Sequence, residues 1–206
     1  MTATYFTGLL LGFGLIIPIG AQNVFIFSQG LTAGMPRALW AVVAAGVCDT
    51  ILIVLGAVGA GVLISSVPGL REILLVGGAG LLIYLGVSSL RAKVKDEEEA
   101  ADPDVVSVRG VLFKTASVSL FNPHAILDTV VIIGATIAAQ QMADRMAFTF
   151  GAVTASWVWF LVLAVGAAML RQFLTPRRRL WFDRVSGLIM LFFAGLLLFE
   201  LGKSLA

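Results

Sequence analysis

Six stretches of this chain are apolar for as long as a bilayer is thick. They run roughly over residues 4–29, 38–64, 70–90, 110–138, 145–170 and 182–202, against the ~20 residues a spanning helix needs. Lipid offers no partner for a free backbone group, so segments of this kind are expected to be helices. Only 13% of the 206 residues are charged, which places the chain among integral membrane proteins. The N-terminal MTATYFTGLLLG lacks the basic start of a secretory signal, and it is expected to remain as the first span. A net charge of +2, with no basic run interleaved with aromatics, gives no reason to expect nucleic acid. The single cysteine, Cys48, precludes an internal disulfide or a Cys-x-x-Cys redox pair, and no cofactor is expected.

One connector stands apart. AKVKDEEEAADPDVVSVR, residues 92–109, holds six of the twelve acids and reads as a solvated linker between residues 1–91 and 110–206. The halves look related. An offset of 105 residues pairs Pro18 with Pro123, Gly12 and Gly14 with Ser117 and Ser119, Asn23 with Asp128, and Gly46 with Gly151. In the third spans the offset becomes 109, matching Gly78 with Gly187 and Gly86 with Gly195. Chance matches among glycines are the competing explanation. Three spans per half is an odd number, so related halves must cross in opposite directions, giving two inverted three-helix repeats as in secondary transporters. Lys and Arg divide eleven to three between the two sets of loops, which predicts the linker inside the cell and both termini outside. GLLLG (Gly8 to Gly12) is a small-xxx-small motif able to seat a helix neighbour, and a homodimer is one way to use it.

The polar residues left inside the spans carry the chemistry. Asp49 falls near the middle of the second span and Asp128 about one turn past the middle of the fourth. An ionised side chain costs ~2.5–3.5 kcal/mol at a helix centre. With no Lys or Arg at that depth, the compensating cation is expected to arrive from outside, although a neutral or cross-bonded carboxyl would also fit. Pro18 and Pro123 each deprive a carbonyl four residues back, of Gly14 and of Ser119, and are expected to break helices 1 and 4 near the midplane. Broken helices there expose polar backbone to a cavity, whereas a packing kink is the plainer outcome. His124 and Asp128 share a helix face, where the imidazole could tune the carboxylate or cap the broken turn. Gln22, Asn23 and Asn122 add neutral donors and acceptors suited to an amino acid, while Trp157 and Trp159 read as packing or cavity wall.

An intramembrane aspartyl protease would be expected to show Gly-x-Gly-Asp, whereas this chain has Gly46-Val47-Cys48-Asp49. A transition-metal carrier would more often align several His, Cys or Met ligands. An enzyme is therefore not expected, and a carrier for a small cation is favoured over a channel-like or structural membrane protein. PIGAQNVFIFSQG (Pro18 to Gly30) and FNPHAILDT (Phe121 to Thr129) resemble the two signature segments of the LysE family of lysine and arginine exporters, and the acid in GVCDT agrees. The resemblance implies export of basic L-amino acids, with Asp49 and Asp128 as the paired membrane aspartates and Asn23 as the asparagine after the first proline. Neutral amino acids or small metal cations on the same fold are the alternative cargo. Proton and substrate competing for the two acids would couple export to the pH gradient.

Overall fold

The computed structural model describes residues 1–18, 20–35, 37–59, 69–92, 108–121 and 126–205, and every regular element among them is helical. In chain order these are α1 (Thr2–Ile16), α2 (Ala21–Ala33), α3 (Arg37–Ala57), α4 (Leu70–Leu90), α5 (Val108–Leu120), a π-helix (Leu127–Ile133) continuing into α6 (Gly134–Ala139), α7 (Arg145–Arg171) and α8 (Pro176–Leu205). Four of them, α3, α4, α7 and α8, are long and apolar enough to cross a bilayer, and α1 with α2 makes a fifth if the bent pair is one span. Phe6, Phe113, Phe150, Phe192 and Phe199 are each more than half exposed, as expected of faces turned to lipid.

The expected first span is two helices meeting at 83°, with Pro18 in the gap between them. The expected fourth is made of α5, the π-helix and α6, on either side of residues 122–125. Asn122, Pro123 and His124 lie outside the described residues, as does most of the acidic linker.

Between helices in lipid the hydrophobic effect does little, so close packing of small residues has to hold them together. Helix α7 shows this along its length. Phe148, Ala152, Ala155, Ser156, Phe160, Ala164 and Ala167 form one buried stripe at three- and four-residue spacing, against which α1, α2 and α3 pack. Gly8 of α1 lies against the Phe148 carbonyl and Gly151 of α7 against the Tyr5 carbonyl. The GLLLG face is thus occupied by α7 of the same chain. A second body is the α4/α8 pair, the most extensive helix contact among the described residues, where Gly86 and Gly187 each face the other's carbonyl. On the other side α5, the π-helix and α6 pack on α3, with Gly56 and Gly134 at closest approach. The α4/α8 pair meets the remainder chiefly through α2.

The threonine hydroxyls inside these apolar helices are satisfied locally. Thr50, Thr115 and Thr154 each donate to the carbonyl four residues back, at 2.6, 2.8 and 2.7 Å. Ser28 and Ser156 instead donate across to carboxylates on other helices, which marks out two polar spots in the core.

Gly151→Val would drive a side chain into the α1 backbone. It is expected to lower stability by about 1–3 kcal/mol, the usual cost of overpacking. Thermal unfolding of the purified protein in detergent checks this. Gly166→Ala, with nothing within 4 Å of the added carbon, should leave the midpoint unchanged or raise it.

Candidate functional site

Breaking a helix inside a membrane strands carbonyl groups, and each must find a donor. Here Asn23 supplies it. Its Nδ2 donates to the Ile16 carbonyl at 2.7 Å and to the Pro18 carbonyl at 3.0 Å, and its Oδ1 accepts from Trp159 Nε1 at 3.3 Å. Asn23 was expected to face substrate, and it does line the cavity described below. Its hydrogen bonds, however, are spent on bracing the break and fixing it to α7. Gly14, expected beside a close approach, has open space where a side chain would stand.

The break opens one wall of a cavity of about 230 Å³. Gly20 to Asn23 form that wall, and Asp49 and Ser156 line the α3 and α7 side. Leu82, Phe193 and Leu197 come from the α4/α8 pair. Asp49 is 6% exposed. Its Oδ1 accepts from Gln22 Nε2 at 3.3 Å and its Oδ2 from Ser156 Oγ at 3.0 Å. Among the described residues no cationic side chain pairs with it. Hydrogen bonds to a charged group are worth about 1.5–3 kcal/mol each. Two neutral donors therefore orient the carboxylate without cancelling its charge, and they leave it able to accept a proton or an organic cation. Trp157, on the next face of α7, lies over Gly46 and donates Nε1 to Thr50 Oγ1 at 3.1 Å, closing the packing beside Asp49.

From the second half, Thr129 and Ile133 of the π-helix line the same cavity. Asp128 precedes Thr129 in that π-helix; its side chain lies outside the described part. A π turn carries one more residue than an α turn and recurs at functional sites. One helix earlier, Ser119 near the end of α5 is fully buried, and among the described residues its Oγ has no partner.

Three polar residues of the core went unread in the sequence. Ser156 and Thr129 look there like ordinary small residues of apolar helices, and only the fold brings them to Asp49 and its cavity. Asp183 of α8 follows a run of arginines, which made it look like loop. It accepts a hydrogen bond from Ser28 Oγ of α2 at 3.2 Å, away from the cavity lining. The alanines four residues before and eight residues after Ser156, Ala152 and Ala164, were the available signal for its buried face.

Comparison with known proteins gives a family. The model of the LysE type translocator family matches residues 13–201. YggA of Aeromonas salmonicida, a candidate amino-acid transporter, is 40% identical over 93% of this chain and 93% of its own. YisU of Bacillus subtilis, also a candidate amino-acid transporter, is 36% identical over 83% of this chain and 77% of its own. The arginine exporter protein ArgO of Enterobacter sp. strain 638 is 32% identical over 98% of this chain and 95% of its own. No solved structure matches.

Asn23→Ala would orphan the carbonyls of Ile16 and Pro18 and the Trp159 indole together. An unsatisfied buried group costs about 1–3 kcal/mol, so a loss of at least that size is expected in thermal unfolding. Amide exchange around residues 20–24 should accelerate. Asn23→Asp removes the donor and is expected not to rescue.

Proposed function

Because the chain belongs to the LysE family of translocators, a family of transporters rather than enzymes, we propose that it exports basic L-amino acids, arginine and lysine, in exchange for protons. The observation that carries this reading is Asp49: a carboxylate buried in an apolar span, at a cavity, held among the described residues by a neutral amide and a hydroxyl. An ammonium or guanidinium is the natural partner of such a group, and a proton is its natural competitor. The relationship to a protein named as an arginine exporter points the same way.

In this reading the loaded state has the substrate cation at Asp49, with Asp128 as its companion from the repeat-equivalent helix. Gln22 and Ser156 hold the carboxylate in position, and Asn122 and His124 contribute from the break after α5. Expelling one positive charge against a negative-inside potential costs ~2.3 kcal/mol per 100 mV. Returning one proton for each cation cancels that cost, and the pH gradient then works against the concentration gradient alone. The two acids serve proton and substrate in turn, which keeps either from crossing in both directions unpaired.

The inverted repeat belongs to the same proposal. Its support is that α1 and α2 lean on α7 much as α5, the π-helix and α6 lean on α3, while α4 packs on α8. Residues 1–91 and 110–206 are then the halves, with both termini outside a cytoplasmic membrane. Met1 and Asp144 form an ion pair at 3.1 Å, which keeps the N-terminus beside the α6–α7 loop, as that layout requires.

Uptake of labelled arginine into inside-out vesicles under an imposed pH gradient tests the function. Gradient-driven uptake, inhibited by lysine and not by a neutral amino acid or a divalent metal, is expected. Asp49→Asn and Asp128→Asn should each abolish it while the protein remains inserted. Normal arginine export by both variants would refute the site, and competition by the neutral amino acid or the metal would assign another cargo to the same fold.

A further inference from the structure

The cavity lies on a seam. One side of it belongs to α3 and α7, the other to the α4/α8 pair, and α2 bridges the two. Its ties to the first body are several. Gln22 donates to Asp49 of α3, Asn23 accepts from Trp159 of α7, and Arg171 of α7 donates to the Ala33 carbonyl at the C-terminal end of α2 at 3.3 Å. Toward the second body α2 presents apolar packing, with Val24 and Phe25 clustered with Leu85 and Met190, and a polar tie, Ser28 Oγ to Asp183 Oδ1.

That tie has no role in the site described above, and an aspartate is an expensive way to pack two helices. Asp183 is the eighth residue of α8, beyond the first turn where a carboxylate gains from the helix dipole. Arg179, one turn before it, donates Nε to the Leu174 carbonyl at 3.1 Å instead, and among the described residues no cationic side chain pairs with Asp183. Ser28 lies six residues beyond Gln22, or about 9 Å further along α2 at 1.5 Å per residue. It stands toward the end where the arginines of α8 cluster.

We propose that Asp183 is a positioning residue of the transport cycle, whose hydrogen bond with Ser28 holds the α4/α8 pair against α2 and must open each time the cavity empties or fills on that side. The inference rests on the proposed function, because only a carrier needs the seam to part. A purely apolar contact would hold the two bodies with no partner for water to take over. A carboxylate and a hydroxyl can exchange their mutual bond for bonds to water as the seam wets, so the pair suits a contact that forms and breaks repeatedly.

Covalent locking separates a gate from a fixed contact. Ser28→Cys with Asp183→Cys, in a Cys48→Ala background, is joined by a short bis-thiol reagent in inside-out vesicles, and arginine transport is measured before and after adding reductant. The reduced pair lacks the Ser28–Asp183 bond and is expected to transport more slowly than the parent; the proposal predicts that cross-linking abolishes the remaining transport and that cleaving the bridge restores it. Cross-linked protein that transports as fast as the reduced form would overturn it. Should the reduced pair itself be inactive, Phe25→Cys with Met190→Cys locks the same seam with Asp183 intact, and the same two outcomes decide. Parent protein that moves no arginine would count against the proposed function, not against the gate.

Discussion

A carboxylate buried in an apolar helix, with no cationic partner among the described residues, is the constraint that organises this molecule. Asp49 cannot be placed in lipid or in a dry core at small cost, so the fold surrounds it with groups that orient it. Gln22 reaches it from the start of α2 and Ser156 from the stripe of α7. For Gln22 to arrive there, the first segment has to stop and turn, and that requires the break at Pro18. The break in turn strands carbonyls, which Asn23 caps while Trp159 holds Asn23. One buried acid thus accounts for a proline, an amide brace and an indole that would otherwise look like unrelated oddities of a membrane helix.

Packing explains why such a site can also change shape. Glycines and alanines bring backbones into contact within the α1/α7 crossing and within the α4/α8 pair, and these units are internally tight. The contact between the units is thinner and runs largely through α2, a helix of 13 residues. Cavity and seam therefore coincide. In the proposed cycle the Ser28–Asp183 tie sets where this seam parts, because its two polar groups can be taken over by water.

The helical class, four of the six expected spans and the place of Asp49 deep in an apolar helix were legible in the sequence, because hydropathy over ~20 residues and an isolated acid in an apolar run are local signals. Pro18 announced the break, and Gln22 was picked out as a donor. The identity of Asp49's second partner was not legible. Ser156 is 107 positions away, and a serine among alanines reads equally well as packing. Asn23 was expected to meet substrate, but nothing in a linear pattern reveals that its amide would be consumed by carbonyls five and seven residues earlier. Asp183 was not singled out, because it follows a run of arginines at the very start of the last expected span. GLLLG was recognised as a packing motif, but a motif names no partner, and here the partner is α7 of the same chain.

Proton release on substrate binding is the most direct test of the central claim. Purified protein in lightly buffered detergent solution, mixed with arginine while a pH indicator is followed, should acidify the medium saturably, and Asp49→Asn should not. Saturable arginine binding with no proton released, in protein whose Asp49 is intact, would contradict the competition of proton and cation for this carboxylate.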